Sequence, residues 1–156
     1  MANRIQQNMV AFVLNGRPFS VAPDPDETLL ETLRQRCGCA DVKKGCDEGA
    51  CGACTVAIDD VAVPSCLVLT VACAGSRIVT SAGLATDPLA RRIGAALAEA
   101  GAVQCGFCTA GVLITAWSMF RRIPSPDRDT ISRELTGNLC RCGGYDLMVE
   151  ALAGLG

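Results

Sequence analysis

The sequence predicts an α+β fold in which a sheet-rich N-terminal half is followed by an all-helical C-terminal half. Short β-prone runs separated by turn signals fill the chain up to about residue 80, whereas capped, alanine-rich helical patterns fill the remainder. The composition changes near residues 83–88, so we expect two domains, residues 1–83 and residues 84–156. Of the 156 residues, 50% are hydrophobic, so each small domain can form a core.

The N-terminal half carries the signals of a mixed sheet. Residues 9–14 are an apolar, β-prone run, the Asn15-Gly16 pair predicts a tight hairpin turn, and residues 18–21 return as the second strand. Three further strands are expected. The first covers residues 55–58, a turn at residues 59–60 leads to a short second strand just before Cys66, and the last covers residues 77–80.

One helix is predicted within this half. Thr28 and Glu31 form a capping box, which begins an amphipathic helix that continues to about residue 36. A cysteine-rich loop then leads into the third strand. A mixed sheet with one crossing helix and a ligand-bearing loop is the β-grasp arrangement, so we expect an N-terminal β-grasp domain.

Four helices are predicted in the C-terminal half. The Asp87-Pro88 pair suits the N-cap and first turn of an alanine-rich helix that ends near residue 100. Residues 108–122 form the second helix, residues 125–135 contain the third, and residues 145–152 form the fourth. We therefore expect an all-α, four-helix-bundle domain.

Eight of the eleven cysteines fall into two compact sets. The gaps are four, two and eleven residues in the first set, and two, 31 and one in the second. The Cys-x4-Cys-x2-Cys run is the spacing of plant-type [2Fe–2S] sites, in which four thiolates hold one cluster. The spacing therefore predicts two [2Fe–2S] clusters and electron transfer. The N-terminal set is Cys46, Cys51, Cys54 and Cys66, and the C-terminal set is Cys105, Cys108, Cys140 and Cys142.

The local sequence around both sets suits a cluster. Gly45, Gly49 and Gly52 allow the N-terminal loop to fold tightly and to turn its N–H groups toward the sulfurs. The first two cysteines of the C-terminal set lie at a predicted helix start, where the positive end of the helix dipole favours an anionic cluster.

Disulfide bonds and zinc are the alternatives for so many cysteines. A secreted disulfide scaffold would begin with a signal peptide, but residues 1–7 are polar and lack an apolar region, and the cysteine count is odd. Zinc is the stronger alternative because Cys-x2-Cys pairs are common zinc ligands. The four-residue gap and the Cys140-Arg141-Cys142 run fit zinc poorly.

Composition excludes several other classes. The net charge of −2, the lack of a basic run and the few aromatic residues argue against a nucleic-acid-binding surface. No apolar run is long enough to span a membrane. The chain contains no histidine, which excludes Rieske ligation and histidine-based catalysis.

Four segments, residues 44–56, 65–66, 104–109 and 137–145, carry a specific resemblance. In this order they resemble the small iron–sulfur subunit of the molybdenum hydroxylases, the xanthine oxidase and aldehyde oxidoreductase family. The resemblance runs from about residue 10 to residue 151, whereas plant ferredoxins share only the first half. Ala110 and Gly143 depart from the family pattern, which usually has proline and threonine at these positions.

The resemblance implies a division of labour between subunits. In this family a large subunit holds molybdenum on a pterin cofactor and hydroxylates an N-heteroaromatic ring or an aldehyde with oxygen from water. It implies that the C-terminal set holds the cluster proximal to the molybdopterin, that Gln104 and Cys142 approach the pterin, and that the N-terminal set holds the distal cluster. The expected acceptor is FAD on a medium subunit, or a cytochrome.

We therefore expect the electron-transfer subunit of a cytoplasmic, multi-subunit oxidoreductase, with no catalytic residue of its own. The alternatives are a free-standing two-cluster ferredoxin and a zinc-bound structural module. The helical half favours the subunit, because a simple carrier needs only the β-grasp half.

The remaining chemistry-bearing residues have plainer interpretations. Three cysteines fall outside the two sets, and we expect them to be small packing residues. The alternative for the first two is a spare ligand pair or a redox switch. We expect Trp117 to lie in the core or at an interface, and Arg121 and Arg122 to balance a helix dipole on a solvated face. The three cysteines are Cys37, Cys39 and Cys73.

Overall fold

The computed structural model describes residues 9–156, and in them a five-stranded mixed sheet precedes a helical half. The strands occur in the order β2-β1-β5-β3-β4, with β1 and β5 parallel and the other neighbours antiparallel. The predicted α+β fold is thereby confirmed. The polar residues 1–7, on which the expectation of no signal peptide rests, lie outside the described residues. The strands are β1 (Val10–Leu14), β2 (Arg17–Val21), β3 (Thr55–Ile58), β4 (Val61–Pro64) and β5 (Arg77–Val79).

The predicted hairpin turn between β1 and β2 is confirmed. Asn15 and Gly16 both adopt positive φ, 50° and 78°, which two-residue hairpin turns require. The Asn15 side chain also accepts a hydrogen bond from Thr80 N at 2.9 Å and donates to Thr80 Oγ1 at 3.1 Å. The turn is therefore fastened to the end of β5, a tertiary contact that the turn sequence does not reveal.

The first helix begins and ends where predicted, but its last part is wider than an α-helix. Thr28 and Glu31 form the predicted capping box before α1 (Leu29–Glu31). The next residues, Thr32–Arg36, form a π-helical turn in which Cys37 N donates to Thr32 O at 3.0 Å. Thr32 is fully buried and its hydroxyl hydrogen-bonds Thr70, so the local widening accompanies tertiary contacts of this side chain.

Four helices follow the sheet, as predicted. Asp87 accepts a hydrogen bond from Ala90 N at 2.9 Å, which confirms the predicted N-cap. The third of these helices is shorter than expected, because it begins only after the Asp127 N-cap and because a 3₁₀ turn, Leu135–Gly137, follows its last residue, Glu134. In residues 9–156 no helix has the length and apolar character needed to cross a membrane. The helices are α2 (Pro88–Glu99), α3 (Thr109–Arg122), α4 (Arg128–Glu134) and α5 (Tyr145–Ala153).

Strand β3 joins the two halves because it is buried on both faces. Side chains alternate along a strand, so Val56 points into the core beneath α1, whereas Ala57 packs with the core of the helices. Both residues are fully buried. Helix α3 covers the second face of this strand. The predicted domain boundary at residues 83–84 stays a prediction, and the packing across β3 means that the two halves share an interface.

A polar contact fixes the β3–β4 hairpin to α3. Ser118 Oγ donates to Asp60 O at 2.8 Å and accepts from Ala62 N at 3.2 Å. Arg121 stacks over the Trp117 ring at 4.8 Å and contacts the Asp60 carboxylate at 3.2 Å. Trp117 is core, as expected, whereas Arg121 has specific partners that its position at a helix end did not reveal.

Candidate metal centres

The four thiols of the N-terminal set are neighbours in the structure. Cys46 lies beside Cys51, and Cys66 lies beside Cys54 and near Cys46. Cys54 and Cys66 are buried, whereas Cys46 and Cys51 border a cavity. Because four thiolates share the two irons of a [2Fe–2S] cluster, four neighbouring thiols are a suitable donor set for it.

The thiols of the C-terminal set are also neighbours, although they lie on different elements. Cys105 lies beside Cys142 and near Cys140, and Cys108 lies beside Cys140. Cys108 occupies the N-cap of α3, as predicted, and the last two cysteines lie in the loop between α4 and α5. Cys108 and Cys140 are buried, whereas Cys105 and Cys142 are exposed.

Backbone donors favour an ionised thiol in the N-terminal set. The N–H groups of Glu48 and Cys51 point at Cys46 Sγ, at 3.5 and 3.3 Å. These hydrogen bonds lower the pKa of Cys46 to about 7, because they stabilise the thiolate. Burial, by contrast, raises the pKa of Cys66 to about 11. The Cys46 thiol is therefore readily ionised, whereas the Cys66 thiol loses its proton when a metal binds.

The C-terminal set shows the same contrast. The hydrogen bond from the Phe107 N–H lowers the pKa of Cys105, and burial raises the pKa of Cys108 to about 11. In the same set the pKa of the buried Cys140 is lowered, because hydrogen bonds from the Gly144 and Cys142 N–H groups outweigh the effect of burial. The acidity of these thiols therefore depends on their backbone donors as well as on their exposure.

Cysteines of both thiol sets border one cavity of about 410 Å³: Cys46 and Cys51 from the N-terminal set, and Cys105, Cys108 and Cys140 from the C-terminal set. The gap between them is narrow at Gly45, where a Cβ would lie 2.7 Å from Cys51 Sγ and 3.6 Å from the Phe107 ring. Glycine is therefore required by the close approach of a ligand sulfur. Three apolar side chains line this cavity and are themselves 42–54% exposed: Phe107, Leu139 and Tyr145.

The backbones of the two cluster loops are hydrogen-bonded to each other. Leu139 N donates to Cys51 O at 2.9 Å, and the buried Asn138 side chain donates to Gly52 O at 3.2 Å. Sequence reasoning missed both contacts. The sequence signal that could have indicated these contacts is the position of residues 138–139 immediately before the candidate ligand Cys140.

Gln104 and Cys142 are both exposed. The adjacent loop is ordered by Tyr145, whose hydroxyl accepts a hydrogen bond from Cys140 N at 2.8 Å. Gly143 adopts a φ of +79°, which a β-branched residue would adopt only with strain, so glycine suits this loop. The roles of Gln104 and Cys142 toward a pterin stay predictions.

The three remaining cysteines lie in the core of the N-terminal half, to which Cys54 and Cys66 also belong. Cys73 is buried, while Cys37 and Cys39 are partly buried against the same core. Burial raises the pKa of all three thiols, that of Cys37 to about 11. Protonated thiols in apolar surroundings are weak ligands and nucleophiles.

Replacing these three cysteines should leave both clusters in place. We expect Cys37→Ser and Cys39→Ser to retain the full iron content, and Cys73→Ala to do so with a stability loss of about 1 kcal/mol. Iron analysis and the visible absorption spectrum measure the outcome. Cys54→Ala, which removes an assigned ligand, is the matched control and should lose one cluster. If any of the first three variants loses a cluster, the ligand assignment is wrong.

A sheet half and a helical half that each bring four thiols together suit a two-cluster iron–sulfur protein. The comparisons agree with this class. Residues 12–77 match the 2Fe-2S iron-sulfur cluster binding domain, and residues 80–153 match the [2Fe-2S] binding domain. The chain thus carries two [2Fe–2S] clusters.

Characterised relatives and solved structures identify the family. The chain is 42% identical over 132 residues to the nicotinate dehydrogenase small FeS subunit of Eubacterium barkeri, covering 85% of this chain and 84% of the relative. It is 39% identical over 153 residues to the xanthine dehydrogenase iron-sulfur-binding subunit of Escherichia coli O157:H7, covering 96% and 95%. Quinoline 2-oxidoreductase from Pseudomonas putida 86 contains a chain of similar structure, with a TM-score of 0.88, 37% identity and coverage of 95% and 91%. This chain belongs to the family of small iron–sulfur subunits of the molybdenum hydroxylases.

Proposed function

We propose that this chain relays electrons within a molybdenum hydroxylase complex, from molybdopterin on a large subunit to FAD or another acceptor. The observation that carries the proposal is that the two thiol sets, from different halves of the chain, border one cavity. When bound, each cluster supplies a one-electron redox centre. Two such centres in one small chain serve transfer of electrons and require no catalytic residue here.

The protein contributes ligands, shielding and electrostatics. We propose that all eight cysteines of the two sets are ligands. The N–H groups that point at Cys46 Sγ stabilise negative charge on the sulfur, which is how backbone donors tune the potential of a cluster. The burial of Cys54, Cys66, Cys108 and Cys140 shelters part of each set from water. The four helices, as a bundle, would hold the C-terminal set, and the β-grasp half would hold the N-terminal one.

We propose that the C-terminal set is proximal to the molybdopterin. Cys105, Cys142 and Gln104 all lie at the surface, so a pterin on a partner can approach them. Exposed apolar side chains surround this region and suit burial against the large subunit: Val103, Phe107, Leu139, Tyr145 and Leu147 are 38–54% exposed.

The remaining parts of the proposal concern the complex. The relatives' names refer to nicotinate and xanthine, and that of the solved structure refers to quinoline. These are N-heteroaromatic compounds, so we propose hydroxylation of such a ring, with water as the oxygen source, over an aldehyde. A medium FAD subunit or a cytochrome would receive the electrons, and the complex would be cytoplasmic. A free-standing two-cluster carrier is the alternative.

Metal analysis and purification of the native complex test this function. Anaerobically purified chain should contain about four irons and four acid-labile sulfides and should give two paramagnetic signals on partial reduction. The Cys51→Ala variant is the control and should give one signal. Native purification should bring down a large molybdenum-containing chain. Two irons with one signal would contradict the two-cluster assignment, and a pure monomer with both clusters would favour the free-standing carrier.

A further inference from the structure

Asn138 is a buried polar residue between the two thiol sets, and the proposed ligands leave it without a role. Its side chain is 4% exposed and its Nδ2 donates to Gly52 O at 3.2 Å, across 86 positions of the chain. Gly52 follows the ligand Cys51, and Asn138 lies two residues before Cys140. This hydrogen bond therefore links the loops that carry the two sets.

The acceptor of this bond is held firmly. Gly52 O also accepts hydrogen bonds from Thr55 Oγ1 at 2.7 Å and from Thr55 N at 3.2 Å. It is thus the common acceptor of three donors, one of them from the helical half. A small displacement of Asn138 would be transmitted directly to the backbone that carries Cys51.

The Asn138 amide is closely packed on two sides. A Cβ on Gly52 would lie 2.6 Å from Asn138 Nδ2, and a Cβ on Gly111 would lie 3.1 Å from it. Gly111 belongs to the first turn of α3 and lies three residues after Cys108. The amide therefore lies where the first cluster loop, the start of α3 and the last cluster loop all meet.

We propose that Asn138 is a positioning residue that sets the separation and orientation of the two thiol sets, and through them the coupling between the clusters. This inference rests on the proposed function, because it assumes that both sets hold clusters. Asparagine suits the position because its amide donates to Gly52 O while its size fits between two glycines. An isosteric aspartate carboxylate only accepts hydrogen bonds, so its oxygen would face the Gly52 carbonyl oxygen, which is also an acceptor.

The test compares Asn138→Asp with Asn15→Asp in the full chain carrying both clusters. Asn15 is the matched control, since its Nδ2 donates to Thr80 Oγ1 at 3.1 Å on the β1–β2 turn. The readout is the magnetic splitting between the two clusters when both are reduced, together with the rate of electron redistribution between them. We expect Asn138→Asp to retain its iron, to change the splitting and to slow redistribution several-fold. Asn15→Asp should change neither.

The outcomes separate this inference from the proposed function. Unchanged splitting and rate in Asn138→Asp, with both clusters present, would overturn the positioning role. A second variant, Asn138→Ser, covers failure of the first to assemble. Loss of a cluster in both variants would also overturn the inference, because Asn138 would then be needed for assembly and not for spacing. If the wild-type chain itself holds fewer than two clusters, the proposed function fails instead.

Discussion

Replacing Cys105 by alanine in the assembled complex should leave substrate oxidation at molybdenum possible while stopping electrons from reaching the N-terminal set. The reason is that the proposed relay is in series and the C-terminal set comes first. We expect substrate to reduce the cluster held by the N-terminal set at least about a hundredfold more slowly. This corresponds to about 2.7 kcal/mol in the activation free energy. Rapid-freeze paramagnetic spectroscopy after substrate addition measures this.

The matched variant for this experiment is Cys51→Ala, which removes a ligand of the other set. In this variant the cluster held by the C-terminal set should be reduced at the wild-type rate, while electron delivery to the final acceptor stops. Two parallel carriers would not give this asymmetry. Rapid reduction of the N-terminal set in the Cys105→Ala complex would reverse the proposed order, and with it the assignment of Gln104 and Cys142 to the pterin side.

Replacing Gly111 by alanine should destabilise the contact between the two halves of the chain. A Cβ at this position would lie 2.1 Å from Gly52 O, far inside contact distance. The obstacle is backbone, and its carbonyl is held by the two hydrogen bonds from Thr55. Overpacking of this kind costs about 3 kcal/mol. The thermal midpoint for loss of the cluster absorbance should therefore fall.

Gly94→Ala is the control, because Gly94 is also helical but has no atom within 4 Å of its Cβ position. Alanine is the better helix former, so this variant should be more stable than wild type by about 0.5–1 kcal/mol. Opposite shifts of the two midpoints would confirm the steric argument. Equal midpoints would show that the loop around Gly52 can move aside.

The elements and the candidate ligands were predictable because their signals are local. The Asn15-Gly16 turn, the Thr28 capping box and the Asp87 N-cap each depend on residues within four positions of one another, and all three occur as predicted. The cysteine spacing is equally local within each loop, since a cluster needs four thiolates at fixed short distances.

The contacts between elements were not predictable in the same way. Asn138 and Gly111 have ordinary local roles in a loop and a helix, and only their neighbours in space give them importance. The π-helical turn at Thr32–Arg36 likewise accompanies a hydrogen bond from Thr32 to Thr70, which lies 38 positions away. The secondary-structure propensity of a residue contains no information about which distant residues it will contact.

The sequence by itself thus determined the order of strands and helices, the two cysteine sets and the class of cofactor they suit, because turn chemistry, capping and ligand spacing act over a few residues. Only the tertiary structure decided that the two sets border one cavity and that the loops carrying Cys51 and Cys140 are hydrogen-bonded to each other. It also decided that β3 is shared by two cores. These features arise when segments far apart in the chain pack together, and their geometry is set by the fit of side chains across that interface.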